Sequence, residues 1–223
     1  LPGIYMAWQP PVDAPDAGAL PALAAEHVTF GSFNSCYKIT PHMVALWSRI
    51  LAQTPGSRLI LLTIDGRAAE RRVRDVFAGK GIGAEQLDVR PRLTHEEFLA
   101  IHGQVDIALD TFPYHGTTTT CFSLWMGVPV ITLAGTTHVS RVGVSMLNNV
   151  GLPQLIARNG DEYVEIARRL AADKPGLART RGALRDMMSA APITDGLSCA
   201  RNLESAFREM WPAWCRSHRD SRK

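Results

Sequence analysis

The chain has 223 residues, 46% of them hydrophobic and 20% charged, with a net charge of +3 at pH 7. That is room for one large α/β domain, or a domain with appendages, in the composition of an ordinary globular protein. So small a charge gives no argument for nucleic acid, and no apolar run approaches the roughly 20 residues of a membrane span, so neither partner is expected.

Residues 1–26 lack an initiator Met, are dense in Pro and Ala, and carry Tyr5, Met6 and Trp8, which want a surface to cover. They read as a linker cut from a longer chain or as an extended arm packed on a neighbouring domain, and imply a natural protein that continues upstream. The run 27–33 (HVTFGSF) is the first strand, followed by a loop over 34–39. Thr40-Pro41 opens a helix, with Val44, Trp47, Ile50 and Leu51 on its apolar face and Pro55-Gly56 at its end. Residues 58–64 (RLILLTI) form a strand buried on both faces, and 68–78 a helix whose Arg71, Arg72 and Arg74 are solvated.

Gly79, Gly81 and Gly83 lack the strand-before, helix-after context of a dinucleotide fingerprint. A short strand at 86–90 and a capping box at Thr94-His95-Glu96-Glu97, opening a helix to about His102, come next. Residues 105–135 then read as strand, loop, helix, strand. Helices follow at 140–150, 161–172 and 180–188, with a short strand at 155–157. The last helix, from about Leu197, places Leu203, Phe207, Met210, Trp211 and Trp214 on one face, which calls for a sizeable apolar surface to cover. Beyond it Arg216, Arg219, Arg222 and Lys223 make a basic, solvated tail. The organisation is an arm (1–26), an α/β domain with a doubly wound, Rossmann-like parallel sheet (27–196), and a terminal helix and tail (197–223).

Ligands of such sheets bind outside the carboxyl ends of the strands. Four loops qualify: those after Phe33, Arg90, Asp110 and Leu133. The third, with Pro113, Gly116 and Thr117–Thr120, opens a helix whose first-turn amides and dipole favour an anion. Threonine hydroxyls add donors, and Gly116 lets the backbone approach closely; the plainer alternative is a threonine capping a buried helix. Gly135-Thr136-Thr137-His138 repeats the pattern more weakly, and the two loops together suit one phosphate-bearing ligand. Lys38, a surface lysine by default, sits on the first loop and could meet a phosphate as a point charge. Asp110 either orients the threonine loop or binds a hydroxyl. Arg92 and His95 flank the third helix; Tyr114 and His115 border the threonine loop, either of them free to face solvent.

Cys36, Cys121, Cys199 and Cys215 form no CxxC pair and, with seven scattered histidines, give no metal-ligand spacing. Reduced thiols in a cytoplasm are the expectation. No GxSxG, Walker lysine motif or HExxH is present, so enzymatic chemistry here would be positioning and charge stabilisation of a leaving phosphate.

The segments VTFGSFN, YKITP and SRLILL, the block VDIALDTFPYHGTTTTCFSLWMGVPVITLAG, and SRVGVSML together resemble the C-terminal catalytic lobe of O-GlcNAc transferases, a family that includes bacterial members and the related plant O-fucosyltransferases. The similarity runs from about Leu1 to Trp211 and is most specific over 105–147. It implies the second Rossmann-like lobe of a GT-B glycosyltransferase that moves GlcNAc from UDP-GlcNAc to Ser/Thr hydroxyls, with inversion and without a metal. It also implies tetratricopeptide repeats and an N-terminal lobe upstream, the latter carrying the family's proposed catalytic histidine, so that this chain alone is inactive.

By the same resemblance Lys38 matches the lysine that contacts the donor diphosphate. Thr117, Thr118 and Thr119, after Gly116, match the helix-start residues that hold phosphate. Ser35 stands where animal members have a glutamine near the donor, Phe98 where many stack a histidine on uracil, and His95 where a lysine lies in the base-binding loop. Phe122 replaces an acidic residue that accepts ribose hydroxyls, which a phenyl ring cannot do. That departure leaves two rivals: another donor, GDP-fucose or UDP-glucose, or a non-catalytic nucleotide-binding module.

Overall fold

A computed structural model describes residues 3–25, 27–62, 64 and 66–220. The apolar runs pair as one sheet of β1 (Thr29–Ser32), β2 (Arg58–Leu61), β3 (Leu87–Val89), β4 (Ile107–Leu109), β5 (Val130–Leu133) and β6 (Ile156–Ala157). Each strand is somewhat shorter than its run, because the flanking residues leave the ladder for the loops. Residue 63, inside the run expected for β2, lies outside the described residues. All pairings are parallel, in the order β3-β2-β1-β4-β5-β6, with Phe30 level with both Leu59 and Ile107. The order reverses between β1 and β4. Their carboxyl-end loops therefore diverge and open a crevice.

β1, β4 and β5 are buried along their whole length, as strands covered on both faces should be. The covering helices are α1 (Pro41–Gln53), α2 (Arg67–Ala78), α3 (His95–Ile101), α4 (Thr118–Trp125), α5 (Val142–Asn149), α6 (Gly160–Ala172) and α7 (Lys174–Ala190). Thr40 caps α1 by accepting the Met43 amide, with Pro41 behind it. Thr94 and Glu97 satisfy each other's amides at the start of α3, so two of the loops facing the crevice end in fixed helix starts. α7 begins six residues before the expected 180, because Asp173 caps the Gly176 amide and Pro175 fits the first turn. Arg71 and Arg72 face solvent as expected, whereas Arg74 folds back onto Glu70 and the Leu87 carbonyl.

Residues 3–25 run along this same domain. Ile4, Leu20 and Ala22 are buried in its core. Arg181, 1% exposed, donates to the carbonyls of Ala17, Gly18, His102 and Val105, and Asp106 accepts the amides of Ala22 and Thr29. A guanidinium presents a planar fork of five donors, which is why one residue can hold both the arm and the sheet's lower edge.

α8 (Gly196–Asp220) departs from expectation. Its Leu203, Phe207, Met210, Trp211 and Trp214 are 43–65% exposed, because the helix meets the domain chiefly at the turn Pro192–Thr194. Arg216 is exposed, and Arg222 and Lys223 of the basic tail lie outside the described residues.

Candidate functional site

The loop after β4 is shaped from beneath by Asp110, which is 2% exposed. Its Oδ1 accepts from the amides of Thr111 (2.9 Å) and Gly116 (2.7 Å) and from Asn34 Nδ2 (3.3 Å); its Oδ2 accepts from the Thr132 hydroxyl at 2.8 Å. Tyr163 of α6 donates to the Asp110 carbonyl at 2.9 Å, and Trp47 of α1 donates to the Tyr163 oxygen. Burial pushes the Asp110 carboxyl above the usual carboxylate range, opposed by His115, the Gly116 amide, Thr132 and Thr111. Four donors converging on two oxygens suit the ionised form. Of the two roles open for Asp110, orienting the threonine loop is the one this geometry performs. Both oxygens are occupied from within the protein.

Gly116 also serves the loop itself. A Cβ there would stand 2.5 Å from Thr119 Oγ1, 2.8 Å from Thr120 Oγ1 and 2.9 Å from Asn34 Oδ1. With its amide on Asp110, the amides open to an anion begin after it. Thr117 precedes α4 with no side-chain cap, Thr118 is its exposed first residue, and Thr119 donates its hydroxyl to Asn34 Oδ1 at 3.1 Å. The first intrahelical bond is Cys121 N to Thr117 O, so the amides of Thr118, Thr119 and Thr120 have no helical acceptor.

The neighbouring helix start at α5 is sealed. His115 is fully buried, not solvent-facing; its Nε2 donates to the Leu133 carbonyl and its Nδ1 accepts the Gly143 amide at 3.1 Å. Gly143 lacks a side chain where a Cβ would meet Thr132 Oγ1 at 2.5 Å and Asp110 Oδ2 at 2.9 Å. In the loop before α5, Thr137 and Ser140 bond each other at 2.9 Å. Two similar loops therefore end differently: the start of α5 is closed by His115 and the Thr137–Ser140 pair, and the start of α4 is open.

Lys38 lies beside the open end. It closes a short helical turn (Cys36–Lys38) in the loop after β1, and its Nζ donates to the His115 carbonyl at 2.9 Å while lying 3.8 Å from the centroid of the Tyr114 ring. Partial burial lowers its pKa from the usual lysine range, opposed by the charge of Asp110. Lys38, Ser35, Gly116, Thr117, Thr118 and Thr119 are thus brought together across the switch point.

From there a cleft of about 570 Å³ runs between the loop after β1 and the start of α3, lined by Ser35, Tyr37, Arg92, His95, Phe98 and Thr119. Phe98 is part-buried and meets Phe33, His102 and Phe122 edge-on at 5.9, 5.0 and 5.4 Å. Phe122 also meets Trp8 of the arm at 5.6 Å and lies 6.1 Å from His95, which is exposed and 3.5 Å from Asp13. This end of the cleft is aromatic where the threonine end is polar. Among the described residues no group of three His, Cys, Asp or Glu side chains is placed to hold a metal.

Asn34 and Thr132 also belong to the site, although neither is among the residues expected from the sequence. Asn34 links the β1 loop to both Asp110 and Thr119, and its place directly after a strand on a ligand loop was the available signal. Thr132, a hydroxyl inside an otherwise apolar strand, is the partner a buried carboxylate requires. The site offers a cationic, amide-rich end for a phosphate and an aromatic-walled end for a flat or apolar group.

Residues 17–203 match glycosyl transferase family 41. Over 218 residues the chain is 42% identical to the probable UDP-N-acetylglucosamine–peptide N-acetylglucosaminyltransferase SPINDLY of Petunia hybrida, covering 96% of this chain and 23% of that protein. The corresponding protein of Solanum lycopersicum is 43% identical over 220 residues, with the same coverage. The chain thus spans under a quarter of the length of these curated relatives. Among solved structures, a mutant O-GlcNAc transferase of Thermobaculum terrenum superposes with a TM-score of 0.84 at 35% identity, over 94% of this chain and 40% of that one.

Proposed function

The chain belongs to glycosyl transferase family 41, and from that premise we propose that it is the donor-binding lobe of a protein O-glycosyltransferase that moves GlcNAc from UDP-GlcNAc to serine or threonine hydroxyls. The fold is the Rossmann-like lobe of a GT-B glycosyltransferase. The observation that carries the reading is the open first turn of α4 with the Lys38 ammonium beside it, at the crevice between β1 and β4.

The donor's diphosphate lies on the amides of Thr118 and Thr119, with its β-phosphate toward Lys38 and the nucleoside along the cleft toward Phe98 and His95. The acceptor hydroxyl attacks the anomeric carbon from the side away from UDP, forming the new glycosidic bond with inversion as the bond to the β-phosphate oxygen breaks. The negative charge gathering on that oxygen is met by Lys38 and the positive end of α4. In this reading no metal is needed, because fixed cation and helix end supply the charge. The group that accepts the hydroxyl proton belongs to an upstream N-terminal lobe, which with tetratricopeptide repeats completes a cytoplasmic enzyme. The isolated chain binds donor without turning over.

Phe122 supports a second reading, since an aromatic wall offers ribose hydroxyls no acceptor: a different nucleotide sugar, GDP-fucose or UDP-glucose, or a module that binds without catalysis. Thermal unfolding of the chain with UDP, UDP-GlcNAc and GDP separates the two. A ligand that binds the native state raises the melting temperature. The first reading expects a rise with UDP and UDP-GlcNAc; a rise with GDP alone selects GDP-fucose, and a rise with UDP but not with UDP-GlcNAc selects UDP-glucose. No rise with any of the three at millimolar concentration removes the donor site.

A further inference from the structure

Lys38 is held from two sides. The His115 carbonyl accepts one of its ammonium protons at 2.9 Å, and the Tyr114 ring lies 3.8 Å away, under the same nitrogen. An ammonium carries three donors, so a single carbonyl leaves it free to swing about that bond. The ring adds the second constraint, because a cation is drawn to the negative face of an aromatic quadrupole. The backbone of Tyr114 is itself fixed: its carbonyl accepts from the Thr111 hydroxyl at 2.7 Å, and Thr111 is the residue whose amide binds Asp110. Tyr114 is 48% exposed and fills no core. Its neighbour Tyr37, at 75%, is more exposed still and leaves the ring of Tyr114 as the surface under Lys38.

We propose that Tyr114 is a positioning residue: its ring holds the Lys38 ammonium over the open first turn of α4, so that a diphosphate entering there meets a cation already in place. This rests on the donor-site reading above. It acts through Lys38 and needs no contact between the tyrosine and ligand. Any aromatic ring serves, and an aliphatic side chain of similar size does not.

The test is a double-mutant cycle on the chain, read by calorimetric titration with UDP and with inorganic pyrophosphate, which reports on the phosphate end without the base. Tyr114→Leu is expected to weaken both ligands roughly 3- to 10-fold, the range of a cation–π contact. Tyr114→Phe stays within about 2-fold of wild type by the same reasoning. Combined with Lys38→Met, Tyr114→Leu adds nothing further. Nuclear magnetic resonance gives a readout without ligand: the Lys38 ε-methylene protons are shifted upfield by the ring, retain the shift in Tyr114→Phe and lose it in Tyr114→Leu. Tyr114→Met replaces Leu if that variant does not fold.

Unchanged affinity in Tyr114→Leu, or an equal loss with and without Lys38, overturns the positioning role alone. Wild-type affinity in Lys38→Met overturns the donor-site reading and the inference with it.

Discussion

Lys38, in the loop after β1, donates to the backbone carbonyl of His115, in the loop after β4, at 2.9 Å. One hydrogen bond thus ties together the two loops that diverge at the reversal of strand order. The residue whose carbonyl it takes is also the one whose ring closes α5. The cation is anchored to the part of the fold that decides which helix end stays open.

Removing that cation tests its part in charge stabilisation. Lys38→Ala in the full-length enzyme is expected to lower kcat by about 10² to 10³, the scale on which single charge-stabilising donors are felt. The melting temperature changes little, because Lys38 is only part-buried. Steady-state kinetics of the variant check this, and wild-type turnover contradicts it.

Gly116→Ala tests the packing beneath the threonines. The added methyl stands within 2.9 Å of three side-chain oxygens, so Thr119, Thr120 or Asn34 must move and carry the first turn of α4 with them. The expected cost is about 1–3 kcal/mol by urea denaturation, with weaker binding of UDP. A variant of unchanged stability would show that the loop yields freely.

Asp110→Asn keeps the size and removes the charge. An amide cannot accept from Asn34, Thr111, Gly116 and Thr132 together, because one of its two termini is itself a donor. At least one buried donor loses its partner, with a loss on the order of 3 kcal/mol. The same variant loosens Gly116 and lowers ligand affinity, whereas an Asp110 that served only to bind a ligand hydroxyl would leave stability unchanged.

His102 makes stability depend on pH. Burial pushes its pKa down from 6.5 to about 4, with the Phe98 and Leu99 carbonyls opposing and Arg181 adding to the shift. The unfolded chain therefore takes up a proton below 6.5 that the folded chain refuses until about 4. The contribution is fully present above pH 6.5 and is lost as pH falls toward 4, on the order of 3 kcal/mol in all. Asp106 and Asp110 are shifted upward and act with the opposite sign, so the comparison of wild type with His102→Leu isolates the histidine. Stability measured from pH 7 to 4 is expected to fall more steeply in wild type. Parallel curves would contradict the assignment.

The strands and the caps were legible because their causes are local. Nearly continuous apolar runs such as 58–61 and 130–133 read as buried strands in an α/β chain, and Thr40-Pro41 and Thr94 with Glu97 satisfy amides within their own turn. The order of strands needs pairings between residues far apart, yet the reversal between β1 and β4 falls where two of the four expected ligand loops lie. In the sequence Asp110 stands between two roles because two of its four donors, Asn34 and Thr132, lie 76 and 22 residues away. No pattern of spacing announces such a network. The same holds for Arg181, a charged residue in an amphipathic helix whose burial depends on the arm 164 residues earlier. Of the two places open to His115 beside the threonine loop, the solvent-facing one fails for a related reason: its ring is held by the Leu133 carbonyl and the Gly143 amide, 18 and 28 residues away. For α8 the periodicity was clear, but periodicity identifies an apolar face without saying what lies against it.

The donor-site reading puts a nucleotide's diphosphate on the first turn of α4, against Lys38. A crystal structure of the chain soaked with UDP measures this most directly. Phosphate oxygens are expected within hydrogen-bonding distance of the Thr118 and Thr119 amides and of Lys38 Nζ, with the base directed along the cleft to Phe98. A diphosphate bound at the start of α5, or elsewhere on the domain with the turn after Gly116 empty, would contradict it.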